Sequence, residues 1–265
     1  MLKCINTPHP NLPCSLENGI LTISIDRPES KNALNVELYI ALKDAIEEAD
    51  LNPQVRVLIL RGAHTDFCAG NDMKSFLQVP EFPEPGFAGT TPPFLLLKAM
   101  ARFSKPSIAA IKGVSIGVAT TLLLHFDMAY ADQSAVFQMP FVSLGLSLEG
   151  AASLLLVQRA GYHLAAELLF TAKKFDAHKA LAAGFINEVV DDPYQHAQAQ
   201  AEHLASLPIA SLKAVKALMK QNLSQILHCI DEEAEVVMQR AKSPEMFEAV
   251  MAFMQKRQPD FSQFH

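Results

Sequence analysis

A chain of 265 residues, half of them hydrophobic, is long enough for one large α/β domain with a sizeable buried core. The formal net charge of −6 excludes a general nucleic-acid surface, while leaving room for a local cationic pocket around a phosphate-bearing ligand. No stretch reaches the roughly 18 apolar residues of a membrane span, Met1-Leu2-Lys3-Cys4 lacks a signal pattern, and Cys4, Cys14, Cys68 and Cys229 have neither disulfide-frame nor zinc-site spacing, which together suit a cytoplasmic protein with reduced thiols and no metal.

Ser15 to Asp26 alternates apolar Ile20, Ile23 and Ile25 with Thr22 and Ser24, the pattern of a hairpin turning at Glu17-Asn18-Gly19. Arg27-Pro28-Glu29-Ser30-Lys31-Asn32 breaks it. Asn35 is placed to cap a helix over Val36 to Asp50, whose Leu38, Leu42, Ala45 and Ile46 share one face. Asn52-Pro53 ends that helix, and Val55 to Leu60 reads as a buried strand. Strand–helix–strand order implies a right-handed crossover and parallel pairing.

Phe67-Cys68-Ala69-Gly70-Asn71-Asp72 follows. Small residues after a strand let the backbone turn tightly and approach a ligand, and exposed N–H groups there can bind an anion or a developing oxyanion. An ordinary turn with Asp72 as a helix cap has the same residues. Val79 to Pro93 is proline-rich and reads as a long binding loop or lid. Phe94 to Phe103 reads as a helix stopped by Lys105-Pro106, and Ser107 to Lys112 as a strand.

Gly113 to Thr120 repeats the small-residue theme, with Gly113, Ser115, Gly117 and Ala119 between Val114, Ile116 and Val118. It leads into an apolar helix through Leu122, Leu123 and Leu124. Asp127 to Ala131 and Val136-Phe137 read as short strands. Ser147-Leu148-Glu149-Gly150 precedes a helix over Ala151 to Ala160 with Gly161 as its stop. Helices follow over His163 to Phe170 and Ala177 to Ala183, then a strand over Ile186 to Val190. From Gln195 the chain reads as helical, with Ser243-Pro244 opening the last helix. The expected division is a strand–helix core over residues 1–194 and a helical region over 195–265.

The two small-residue turns end near Asn71 and Val118. If each presents one backbone N–H at the sheet's end, the pair can hold one carbonyl oxygen as an oxyanion hole. Close helix–sheet packing at small residues accounts for the same pattern.

Several signatures resemble the crotonase family, the enoyl-CoA hydratases and isomerases. They are Arg27-Pro28 with Asn32-Ala33-Leu34-Asn35, Phe67 to Asp72, and Lys105-Pro106 with Ala109 to Gly113. Gly117, Asp127 to Ala131, Phe137 with Pro140, Leu144-Gly145 and Ala180 to Gly184 continue in family order. The resemblance implies an α/β spiral of ββα units with C-terminal helices. It implies an acyl-CoA thioester substrate, with coenzyme A as part of the substrate and no separate cofactor. It also implies a homotrimer or dimer of trimers built through the C-terminal helices. It assigns the oxyanion-hole N–H groups to Asn71 and Val118.

Hydratases of the family use a pair of glutamates, and the corresponding positions here are Thr121 and Phe141. Neither activates water nor delivers a proton, so hydration is discounted. Glu149, in Leu148-Glu149-Gly150, resembles the single catalytic base of the Δ3,Δ2-enoyl-CoA isomerase branch. A carboxylate facing an apolar acyl pocket should have a raised pKa. The competing reading of Glu149 is a helix-start acid favoured by the dipole. Lys31 and Lys74 lie where family members approach CoA phosphates, Lys256 is a candidate for the same nucleotide in its own or a neighbouring subunit, and Ala33 and Ala69 are candidates to meet adenine through backbone groups. Gly70, Asp72, Gly117 and Phe141 complete the substrate-binding set. Asp127 reads as a buried, hydrogen-bonded acid, and His64 and His125 lack a partnering nucleophile. The resemblance points to a 3-enoyl-CoA isomerase. A ring or epoxide isomerase of CoA thioesters and a silent acyl-CoA-binding subunit are the alternatives.

Overall fold

The structure, a computed structural model, describes residues 9–72, 84 and 86–264. Strands β1 (Cys14–Glu17) and β2 (Ile20–Ile25) form the expected hairpin. Asn18 and Gly19 both have positive φ, +51° and +83°, as a type I′ turn requires. Helix α1 (Val36–Leu51) begins where Asn35 Oδ1 accepts the Leu38 N–H at 2.9 Å. β3 spans Val57–Gly62, two residues beyond the expected Val55–Leu60, because Arg61 and Gly62 continue the ladder opposite Ser24 and Ile25. Helix α2 (Pro92–Arg102) also starts two residues early. Its prolines, expected in the loop, occupy the first helical positions, where the missing N–H leaves no intrahelical bond unmade.

β4 (Ser107–Ile111), β5 (Val114–Ile116), α3 (Val118–Leu122), β6 (Met128–Ala131) and β7 (Val136–Gln138) follow. Next come α4 (Ala152–Ala160), α5 (Tyr162–Thr171), β8 (Phe175–Asp176), α6 (Ala177–Ala182) and β9 (Glu188–Val189). Helices α7 (Pro193–Ser206), α8 (Ile209–Met219), α9 (Leu223–Arg240) and α10 (Pro244–Met254) close the chain.

The strands form two sheets, ordered β1-β2-β3-β4-β6-β9 and β5-β7-β8. From β2 onward the larger sheet is parallel. Isolated bridges pair Leu34 with Asn71 and Cys68 with Ser115. These bridges extend the smaller sheet by two steps, to residues 34 and 68–71. Each turn of the chain therefore adds one strand to each layer: β2 with Leu34, β3 with Cys68–Asn71, β4 with β5, β6 with β7. This is the spiral of ββα units.

The larger sheet is buried on both faces, as a parallel sheet must be. Ile20, Val57, Ile59, Ile108, Ala110 and Tyr130 pack on Ala197, Ala201 and Leu204 of α7. The alternate residues, including Leu21, Ile23, Leu58, Leu60, Ala109 and Ala131, join the main core with α1, α2 and α4. The chemistry-bearing turns lie where the smaller layer meets that core. Among the described residues no helix is long and apolar enough to cross a membrane.

Candidate active site

Gly70 has φ +84°, and a Cβ there would stand 2.5 Å from Ile116 O and 3.9 Å from Gly117 Cα. Only glycine permits that approach, and it brings the two small-residue turns into contact. Gly70 O accepts the Leu34 N–H at 2.8 Å. The N–H of the same trans peptide, that of Asn71, therefore points away from Leu34. Gly117, at φ +59°, precedes α3, and its carbonyl accepts from Thr120 and Thr121 at 2.9 and 3.0 Å. The Val118 N–H consequently points out of the helix start. Neither N–H donates to any group among the described residues. Neighbouring turns with outward donors are the geometry that an oxyanion hole requires.

Glu149 lies in the turn just before α4, whose N-cap is Ala151, so it is not a first-turn acid of the helix. It is only 5% exposed. Near its carboxylate is the hydroxyl of Thr121 in α3, which also reaches Val118 O at 3.3 Å. Burial first, and the nearby Glu233 second, push its pKa up to about 8, and the Thr121 hydroxyl offsets part of that. Thr121 thus places a hydroxyl of the helix that starts at Val118 beside Glu149. The turn is braced by His125, whose Nε2 donates to Gly150 O at 2.9 Å. Burial pushes the His125 pKa down to about 3, so this imidazole is neutral and supports the backbone.

Tyr39 of α1 completes the wall. Its hydroxyl donates to Asn71 Oδ1. Its own pKa is raised well above the ordinary value, by burial and then by the charges of Glu149 and Cys68. Tyr39 therefore bonds the Asn71 turn and lies within the electrostatic reach of Glu149. Sequence reasoning missed it, because it falls among the core-facing positions of α1. It also missed Glu233, a carboxylate from α9 beside Glu149.

The remaining candidates are scattered. Lys31 is exposed in a left-handed turn, and its carbonyl accepts the Ala69 N–H at 3.0 Å, so it sits beside the Asn71 turn. The Ala33 N–H donates to Ser30 O and its carbonyl accepts from Arg27, so both Ala33 and Ala69 have their N–H groups already engaged. Asp72 pairs with Arg27 Nη1 at 2.8 Å. Phe141, 8% exposed, belongs to the core cluster. Lys256 is exposed after α10, and no contact joins it to the site among the described residues. Lys74 and residues 79–83 and 85 of the Val79 to Pro93 loop lie outside the described residues. Cys68 is no nucleophile, since burial pushes its thiol up to about 12. No cluster of metal ligands occurs among the described residues.

Comparison with known proteins follows the same lines. The family described as enoyl-CoA hydratase/isomerase matches residues 15–264. The 1,2-epoxyphenylacetyl-CoA isomerase of Escherichia coli (strain K12) is 32% identical, over 93% of this chain and 96% of its own. Enoyl-CoA delta isomerase 2 of Homo sapiens is 30% identical over 91% of this chain, which spans only 62% of that relative. A crystal structure from Acinetobacter baumannii, in the enoyl-CoA hydratase/isomerase class, is 59% identical with a TM-score of 0.87, covering 91% of this chain and 100% of that one.

Proposed function

Because the chain belongs to the enoyl-CoA hydratase/isomerase (crotonase) family and is an enzyme of CoA thioesters, we propose that it moves the double bond of a 3-enoyl-CoA to the 2-trans position. The thioester oxygen lies against the Asn71 and Val118 N–H groups. Glu149 removes a proton from the α-carbon, and the electron pair spreads into a dienolate held by the hole. The same carboxyl returns the proton at the γ-carbon, which brings the double bond into conjugation.

The observation that carries this reading is Glu149 itself: a buried carboxyl, its pKa pushed up to about 8 by burial first and Glu233 second, beside the Thr121 hydroxyl of α3. A group of that affinity can both take and return a proton near neutral pH. Thr121 and Phe141, at the hydratase positions, offer no second acid. Lys31, Lys74 and Lys256 serve the CoA phosphates in this reading. CoA arrives as part of the substrate with no separate cofactor, and the C-terminal helices build a trimer or paired trimers in the cytoplasm.

A second reading, epoxide or ring isomerisation of a CoA thioester, draws on the E. coli relative, which this chain matches over nearly its whole length. Ultraviolet absorbance separates them, since the conjugated 2-enoyl-CoA absorbs where the 3-enoyl isomer does not. The first reading expects turnover on a panel of 3-enoyl-CoA chain lengths. No turnover on any of them, with consumption of 1,2-epoxyphenylacetyl-CoA, selects the second. Robust hydration of crotonyl-CoA overturns both.

A further inference from the structure

Helix α9 carries Asp231, Glu233 and Glu235, and each fastens a different part of the site's surroundings. Asp231 pairs with Lys98 of α2. Glu235 Oε1 accepts the N–H groups of Gly86 and Ala88 at 2.9 and 3.0 Å, ahead of α2. Glu233, 7% exposed, reaches the other way, into the start of α4. Its Oε2 accepts the Ala151 N–H at 2.6 Å. Its Oε1 accepts the Ser153 N–H at 2.9 Å and the Ser153 hydroxyl at 2.6 Å.

The Ala151 and Ser153 donors favour Glu233 as the ionised carboxylate, an acceptor only, and offset part of the burial that raises its pKa. Ala151 has φ +56°, a conformation that a non-glycine residue keeps only when its surroundings fix it. Glu233 supplies that fixing on one side, and His125 supplies it at Gly150 O on the other. The residue just before this doubly held pair is Glu149.

The geometry points to Glu233 as a positioning residue that clamps the Glu149–Ala151 turn from the C-terminal helices and sets the electrostatic field in which Glu149 exchanges its proton. This inference rests on the reading of Glu149 as the base. Two effects act in one direction. The Glu233 charge faces Glu149 and opposes its ionisation. Glu233 also occupies the Ala151 and Ser153 N–H groups, covering the positive end of α4 that would otherwise favour a charged Glu149. The other groups facing Glu149 are Tyr39 from α1 and Thr121 from α3. Facing Glu233 is Cys229, whose Sγ lies 3.6 Å from Oε1 and whose thiol is pushed up to about 11, first by burial.

The test uses the full-length protein, 3-hexenoyl-CoA as substrate and butanoyl-CoA as binding probe. For Glu233→Gln, kcat should fall at least about tenfold while butanoyl-CoA affinity stays within about twofold, as expected when only a transition-state interaction is lost. The acidic midpoint of kcat should also move down by about one pH unit, the size of a neighbouring-charge effect. A folded Glu233→Gln protein with unchanged kcat and midpoint overturns the inference and leaves Glu233 a helix cap. If that variant does not fold, Glu233→Asp keeps the charge but cannot reach both Ala151 and Ser153. It should lose about tenfold or more in kcat, and full turnover overturns the inference. Glu149→Gln separates the two levels: turnover that survives there overturns the base assignment itself, whatever Glu233 does.

Discussion

Asp127 and Glu149 are both acids drawn into the core, and they are held in opposite ways. Asp127 Oδ2 accepts the Ser107 N–H at 2.8 Å, the Ser107 hydroxyl at 2.9 Å and Lys216 Nζ at 2.6 Å. Glu149 has the Thr121 hydroxyl among the described residues, and another carboxylate faces it. The Asp127 region has more of the outward marks of a site. Arg159, Lys216 and Lys220 gather there around a cleft of about 410 Å³. Yet those cations are spent on carbonyls: Arg159 donates to Leu124 O, Lys216 to Lys105 O, and Lys220 to Ala101 O and His125 O. A carboxylate surrounded by donors fixes structure. One deprived of them keeps a proton affinity that chemistry can use.

The sharpest way to break this comparison is to remove each acid in turn. Glu149→Gln should lower turnover by about 10²–10⁴-fold while leaving acyl-CoA affinity close to wild type and raising, not lowering, the neutral-pH melting temperature, measured by spectrophotometry, calorimetry and thermal scanning. Asp127→Ala should do the reverse. It strands the buried Lys216 ammonium and should cost about 3–5 kcal/mol in denaturant unfolding, with turnover retained by the protein that remains folded. Equal losses of activity in both variants would erase the distinction.

The pH dependence sharpens it further. Glu149 must be ionised to act, so kcat should fall about tenfold per pH unit on the acid side of a midpoint near 8. Stability carries the same signature. The folded state holds the Glu149 proton more tightly than the unfolded chain, whose value is near 4.5. Its contribution is therefore full below pH 4.5 and lost as pH rises through about 8. Glu149→Gln should melt at a higher temperature relative to wild type above pH 8 than below pH 5. His125, pushed down to about 3, acts with the other sign: its contribution is present above its unfolded value of 6.5 and lost as pH falls toward 3.

The smallest expected effect is at Thr121. Its hydroxyl favours the charged form of Glu149, so Thr121→Val should raise the acidic midpoint of kcat and reduce turnover at pH 7 by a factor of a few. An unchanged pH profile would mean that the hydroxyl does not act on the base.

The sequence carried the spiral because its signals are local. Asn18-Gly19 turns a hairpin, Asn35 caps α1, and β-rich apolar runs alternate with helical ones. The oxyanion turns were visible for a similar reason, since Gly70 and Gly117 stand out beside Asn71 and Val118. Glu149 showed itself only by likeness to the isomerase branch, because nothing within a few residues of it raises its proton affinity. Burial does that, together with Glu233 on a distant helix. Tyr39 was hidden by its regular spacing in the core stripe of α1. The prolines of α2 misled, because a residue that stops a helix in its interior starts one at its first turn.

Synthesis delivers the spiral, with both small-residue turns and Glu149, before α9 leaves the ribosome. A nascent chain halted there already contains Asn71, Val118 and Glu149, yet Ala151 and Ser153 have no Glu233 to grip. The turn that carries the base thus gains its Glu233 contacts only after the spiral has been synthesised, when α9 docks.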